Sequence, residues 1–110
     1  MADKNTLLNL IIVSLNDIKA LDITVIDVSL QTTITDVMVI CTGRSSRHVK
    51  SIAEHITEQC KTAGWRAISQ QGLLEGDWAL VDFGDVVVHI MQPESRTFYN
   101  LEELWQNPSP

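Results

Sequence analysis

The pattern of apolar and polar residues predicts two long helices and a helical C-terminal segment. Apolar residues over 7–18 recur at the spacing of an amphipathic helix. Residues 46–63 carry a continuous apolar stripe at the same period, and Gly64 provides a common helix end. Pro93 can start a helical turn, and Asn100 can cap a short last helix.

The remaining apolar runs have the composition of strands. Residues 23–30 and 36–41 are rich in β-branched and apolar side chains, 65–69 form a short third run, and two more runs flank Phe83-Gly84. The strand, helix and strand after residue 36 predict a right-handed parallel crossover. We therefore expect one α/β (α+β) domain over 1–110, with a mixed sheet of about five strands flanked by helices.

The run from Glu75 to Met91 is the densest in chemically capable side chains. If Asp82 and Asp85 flank a two-residue hairpin loop, strand alternation pairs Trp78 with His89 and puts all four side chains on one face. Met91 joins that face by parity. Such a mixture of aromatic, acidic and apolar side chains is more typical of a binding surface than of a core.

The opposite face of the same hairpin is suited to a covering helix. Its residues are small and aliphatic: Ala79, Val81, Val86, Val88 and Ile90. The turn itself leaves an alternative open, because a type I′ turn would place Phe83 at positive φ, which bulky residues resist. A longer loop could shift the register.

Charge is distributed unevenly along the chain. The 110 residues are 45% hydrophobic and 20% charged, with a net charge of -6. From Glu75 onward seven acidic residues face a single base, Arg96, whereas the preceding part is neutral. An acidic surface repels nucleic-acid phosphates and attracts basic proteins, so we expect little direct nucleic-acid contact.

Catalytic and metal-binding motifs give weaker predictions. The turn from Gly43 to Arg47 leads into a helix start, where backbone N–H groups could bind a phosphate, or where the helix is simply capped. The three histidines form no HExxH pattern, so no metal is expected. Cys41 and Cys60 lie in apolar segments and are interpreted as buried free thiols.

The chain has no run of 18 apolar residues and no basic lead into an apolar stretch at its start. We therefore expect a cytoplasmic protein without a membrane contact.

Three segments together resemble one known family. Residues 36–50, 75–91 and 98–105 are similar, in the same order, to the ribosomal silencing factors, also called RsfS or Iojap. The likeness extends from about Leu7 to Trp105.

The resemblance implies a fold akin to nucleotidyltransferases but without their catalysis, no cofactor, and a homodimer when the protein is free. It also implies binding to the large ribosomal subunit, through its ribosomal protein fourteen at the intersubunit face. The bound factor would block joining of the small subunit and so repress translation under nutrient limitation.

Carried over by position, the partner-binding residues predicted on this basis combine an aromatic anchor with acidic and apolar neighbours. They are Trp78, Asp77, Asp82, Asp85, Met91, Glu94 and Tyr99. Two other functions stay open: a nucleotide-binding enzyme that uses Gly43 to Arg47, and a general acidic protein-interaction module.

Overall fold

The computed structural model describes residues 4–106, with side chains from Asn5 to Leu104. The elements in chain order are α1 Lys4–Asp17, β1 Leu21–Asp27, β2 Val37–Thr42, α2 Ser46–Thr62, β3 Ser69–Gln71, β4 Trp78–Asp82, β5 Val86–Met91, α3 Pro93–Tyr99 and α4 Leu101–Gln106. Within this range no helix is both long and apolar enough to cross a lipid bilayer.

The five strands form one mixed sheet in the order β1-β2-β5-β4-β3. Strands β2 and β5 pair in parallel, and the other three pairings are antiparallel. The predicted mixed sheet of about five strands is therefore confirmed. The pairings make β3 parallel to β2, so α2 connects parallel strands as expected, although β3 lies at the far edge of the sheet.

The two central strands hold the core together. Every residue of β2 and β5 is buried. On one face, side chains such as Val39 and Val88 pack with Ile52 and Ile56 of α2 and with residues of α1. This confirms the predicted helical cover of the aliphatic hairpin face. The opposite face carries a smaller cluster around Ile40, covered at one end by the C-terminal helices.

Two predicted strand boundaries are wrong. Strand β1 ends at Asp27, because its carboxylate accepts hydrogen bonds from the Ser29 backbone N–H at 2.9 Å and hydroxyl at 2.6 Å, which turns the chain. Of the predicted strand over 65–69, only Ser69 belongs to a strand, as the first residue of β3. Trp65 and Ala67 pack on the helix-side core instead, and regular pairing with β4 begins only at Ser69.

The β4–β5 hairpin has a different register from the predicted one. The Phe83 N–H donates to the Val86 carbonyl at 2.9 Å, so the loop consists of Gly84 and Asp85. Gly84 has φ +93, which a first loop residue needs in a type II′ turn. Trp78 therefore pairs with Met91 rather than with His89. Because the shift is two residues, the strand side chains stay on their predicted faces, but Asp85 lies in the loop and does not flank it as predicted.

The loop before β4 generates a stability prediction. Gly72 has φ +79, and a Cβ added there would lie 2.0 Å from the Trp78 carbonyl oxygen, whereas Gly64, at φ +99, has open space around it. We expect Gly64→Ala to cost about 1 kcal/mol of unfolding free energy for backbone strain. Gly72→Ala should cost at least about 2 kcal/mol more, because the backbone of β4 must move. Urea unfolding of both variants measures the difference, and equal losses would contradict the packing argument.

Candidate functional site

An aromatic cluster stands at the start of β4. The cluster consists of Trp78 on β4 and Phe98 and Tyr99 at the end of α3. The Trp78 and Tyr99 rings have centroids 4.6 Å apart, and Phe98 meets Tyr99 edge-on at 5.1 Å. Phe98 is 80% exposed and Tyr99 is 52% exposed. Rigid aromatic side chains that remain accessible in this way are typical of protein-binding surfaces.

His89 holds the Trp78 side chain from within the sheet. The Trp78 indole N–H donates to His89 Nδ1 at 2.9 Å, a diagonal contact between the neighbouring strands. His89 is only 6% exposed, and burial lowers its pKa to about 4. A neutral imidazole is needed here, because a protonated Nδ1 could not accept the indole proton. The predicted placement of both residues on one face is confirmed.

A groove of about 430 Å³ lies beside the aromatic cluster on the face opposite α1 and α2. Its floor comes from β2, β4 and β5, and its walls from the β1–β2 loop, from β3 and from the start of α4. Its apolar and aromatic lining includes Ile34, Met38, Trp78, Leu80, His89 and Leu101. Ile34 on the loop is 82% exposed. The groove therefore has apolar surface that is accessible to solvent.

The acidic residues predicted for partner binding fall into two groups. Asp77 lies just before β4 and Glu94 in the first turn of α3, both exposed. Asp82 ends β4, where its carboxylate accepts from the Gly84 N–H at 2.7 Å, and Asp85 is exposed in the hairpin loop. Residues 77 and 82 are five positions apart, which corresponds to about 16 Å of extended strand. The structure thus places negative charge at both ends of β4 rather than around one point.

Met91 does not lie where a partner could contact it. Although Met91 points to the predicted face of the sheet, its side chain is fully buried in the cluster that Trp78 and Leu101 cover. Strand alternation assigns a face but carries no information about what covers that face. The predicted partner-binding residues do not include Phe98, Leu80 or Leu101, which also lie at this surface. Strand alternation already puts Leu80 on the same face as Trp78, whereas the positions of the other two depend on where the C-terminal helices pack.

Three backbone N–H groups around the start of α2 already have partners within the chain. The Gly43 N–H donates to the Met91 carbonyl at 3.0 Å, and the Arg44 N–H donates to His48 Nδ1 at 2.9 Å. Ser45 caps the helix by accepting from the His48 N–H at 3.1 Å. These N–H groups are therefore already used within the chain, which favours the simple capped helix over the nucleotide-binding alternative.

The cysteines are buried free thiols, as predicted. Burial raises the pKa of Cys41 to about 12 and that of Cys60 to about 11, so neither forms a reactive thiolate near neutral pH. In the part of the chain that the structure describes, no three His, Cys, Asp or Glu side chains meet as a possible metal site. The face between the β1–β2 loop and α4 therefore provides a shaped apolar groove with acidic side chains nearby.

The buried His89 makes the stability of the protein depend on pH. Its folded pKa of about 4 lies below the ordinary value of 6.5, so the unfolded chain binds the proton more readily between these pH values. Stability should fall as the pH drops through this window, by roughly 3 kcal/mol in all. His89→Gln, whose amide oxygen can still accept the indole proton, should lack this component. Urea unfolding from pH 7.5 to 4 compares the two proteins, and parallel curves would contradict the assignment.

Comparison with known proteins places the chain in a family. A family model described as "ribosomal silencing factor during starvation" matches residues 1–110. The ribosomal silencing factor RsfS of Haemophilus influenzae is 44% identical over 84% of this chain and 90% of its own length. The mouse "mitochondrial assembly of ribosomal large subunit protein 1" is 38% identical over 78% of this chain and 39% of its own length.

A solved structure agrees with this result. The crystal structure of a Chromobacterium violaceum protein superimposes with a TM-score of 0.94 at 38% identity, covering 99% of this chain and 91% of that one. Sequence and fold therefore agree over nearly the whole chain. The chain belongs to the ribosomal silencing factor family.

Proposed function

We propose that this protein binds the large ribosomal subunit through its ribosomal protein fourteen and sterically blocks joining of the small subunit. The aromatic cluster beside the groove is the observation that carries the proposal. Its side chains are held in place before binding, yet Phe98 and Tyr99 remain largely exposed. Preorganised aromatic anchors reduce the entropy lost on association.

The charges favour a basic partner. Acidic residues stand at both ends of β4, and the chain has a net charge of -6. Ribosomal proteins that contact rRNA carry many lysines and arginines, so complementary charge would speed association and orient the partner. The mouse relative, whose name refers to the large ribosomal subunit, is consistent with this choice of partner.

Blocking of this kind requires bulk and affinity but no chemical step. The molecule has principal extents of 41 × 34 × 21 Å. A body of this size, bound at the face where the subunits meet, would hold them apart by excluded volume. We further propose that this repression serves to lower translation when nutrients are scarce, and that the protein acts in the cytoplasm.

The free protein is proposed to be a homodimer, as the family resemblance implies. Sedimentation velocity at several protein concentrations tests this proposal directly. A species of monomer mass at all concentrations would contradict it.

The proposed contact surface predicts selective loss of binding. Phe98→Ala should raise the Kd for large subunits about tenfold, because it removes an exposed anchor. Since Phe98 is 80% exposed, the substitution should leave the thermal unfolding midpoint nearly unchanged. Trp78→Ala should weaken binding at least as much, but it also loses packing on the buried cluster and therefore needs the unfolding measurement beside it.

Charge reversal provides the matched comparison. Asp85→Lys lies in the exposed hairpin loop, whereas Glu54→Lys makes the same change on the exposed side of α2. Only Asp85→Lys should slow association, and the effect should shrink at high salt. Co-sedimentation with large subunits and a subunit-joining assay measure these outcomes. Normal inhibition by Phe98→Ala, Trp78→Ala and Asp85→Lys would exclude the proposed surface.

A further inference from the structure

The position of α3 is unusual, because the helix has almost no apolar attachment. None of its seven residues is buried. A helix this short is not stable by itself in water, so contacts with the rest of the protein must hold it. Yet α3 carries Phe98 and Tyr99, two of the three residues of the aromatic cluster. What holds α3 therefore determines where those rings stand.

Arg96 supplies the polar attachment at the end of α3. Its guanidinium donates to Glu102 at 2.7 Å, to the Thr42 hydroxyl at 2.8 Å and to the Thr24 hydroxyl at 3.0 Å. Its side chain is only 13% exposed. The planar guanidinium can serve these acceptors together, which a lysine cannot do. One side chain thus joins α3 to β1, β2 and α4.

The bond to Glu102 also closes the corner between the two short helices. Asn100, at that corner, has the left-handed φ of +47, which turns the chain from α3 into α4. The hydrogen bond from Arg96 lowers the pKa of Glu102, so this carboxylate stays charged near neutral pH. The Arg96–Glu102 ion pair therefore bridges the two helices that meet at this corner. Tyr99 lies between the two paired residues in the chain.

We propose that Arg96 is a positioning residue for recognition, holding α3 so that Tyr99 packs against Trp78 and the aromatic cluster has its binding shape. Arg96 acts through the rings that α3 carries rather than by touching the partner. The part of this inference that concerns binding rests on the proposed function, whereas the part that concerns ring position does not.

Ring position can be measured without any ribosome. The chain contains a single tyrosine, so isotope-labelled tyrosine gives one ring spin system in an NMR spectrum. The Trp78 ring, whose centroid lies 4.6 Å away at an interplanar angle of 46°, should displace the Tyr99 ring protons from their positions in free tyrosine. Arg96→Met should move these resonances toward those of free tyrosine. Arg96→Lys and Glu102→Gln, which keep part of the network, should move them less. Arg66→Met, the same change at an exposed position after α2, should leave them unchanged.

Binding then tests whether Arg96 acts through the rings on α3. Arg96→Met should raise the Kd for large subunits about tenfold, close to the effect of Tyr99→Ala. In a background that carries both Phe98→Ala and Tyr99→Ala, Arg96→Met should weaken binding little further, because the rings that it positions are gone. Thermal unfolding of each variant shows that the remaining fold is intact.

Several outcomes separate the two proposals. Unchanged tyrosine resonances in Arg96→Met would overturn the positioning role. Displaced resonances with fully additive losses of binding would also overturn it, because Arg96 would then act independently of both rings. If the wild-type protein does not bind large subunits, the proposed function fails, and the tyrosine spectra still decide whether Arg96 positions the cluster.

Discussion

The parallel pairing of β2 with β5 is the constraint on which the rest of the structure depends. All residues of both strands are buried, so both faces of the sheet centre must be covered. The helices α1 and α2 cover one face, whereas the short C-terminal helices pack on the other face at one end, beside Val28 of the β1–β2 segment. The groove and the aromatic cluster occupy the part of that second face that remains open. The candidate site thus exists because the helices cover the two apolar faces of the sheet to different extents.

On the open face, polar contacts fix the orientation of Trp78 and the position of α3, which apolar packing alone does not determine. Trp78 is only partly buried, and its hydrogen bond to neutral His89 selects one orientation of the indole. Arg96 does the same for α3, which has no buried residue of its own. Both contacts satisfy groups that would be costly to bury alone, and both therefore tolerate few alternative geometries. Such preorganisation suits a protein whose proposed action requires affinity and bulk but no reaction.

Much of the fold and part of the site could be predicted from local patterns. The stripe over 46–63 identified α2 almost to the residue, since its period follows directly from helix geometry. Alternation along the hairpin assigned Trp78 and His89 to the correct face even though the register was wrong by two residues, because side-chain direction repeats every two residues. The third strand was misplaced, since Trp65 and Ala67 are drawn onto the helix-side core by contacts that no local pattern shows.

The sequence by itself determined the helical and strand periods of the apolar residues and the two faces of the hairpin. It also determined the acidity of the C-terminal part and the resemblance to one family. These properties depend on backbone geometry and on residue identity, which are local. Only the tertiary structure decided that Met91 is covered, that the acidic residues separate along β4, and that Arg96 reaches Thr42 and Thr24, residues 54 and 72 positions away. Contacts over such separations arise from competition among all the surfaces that the chain must bury at once, so no segment of the sequence specifies them alone.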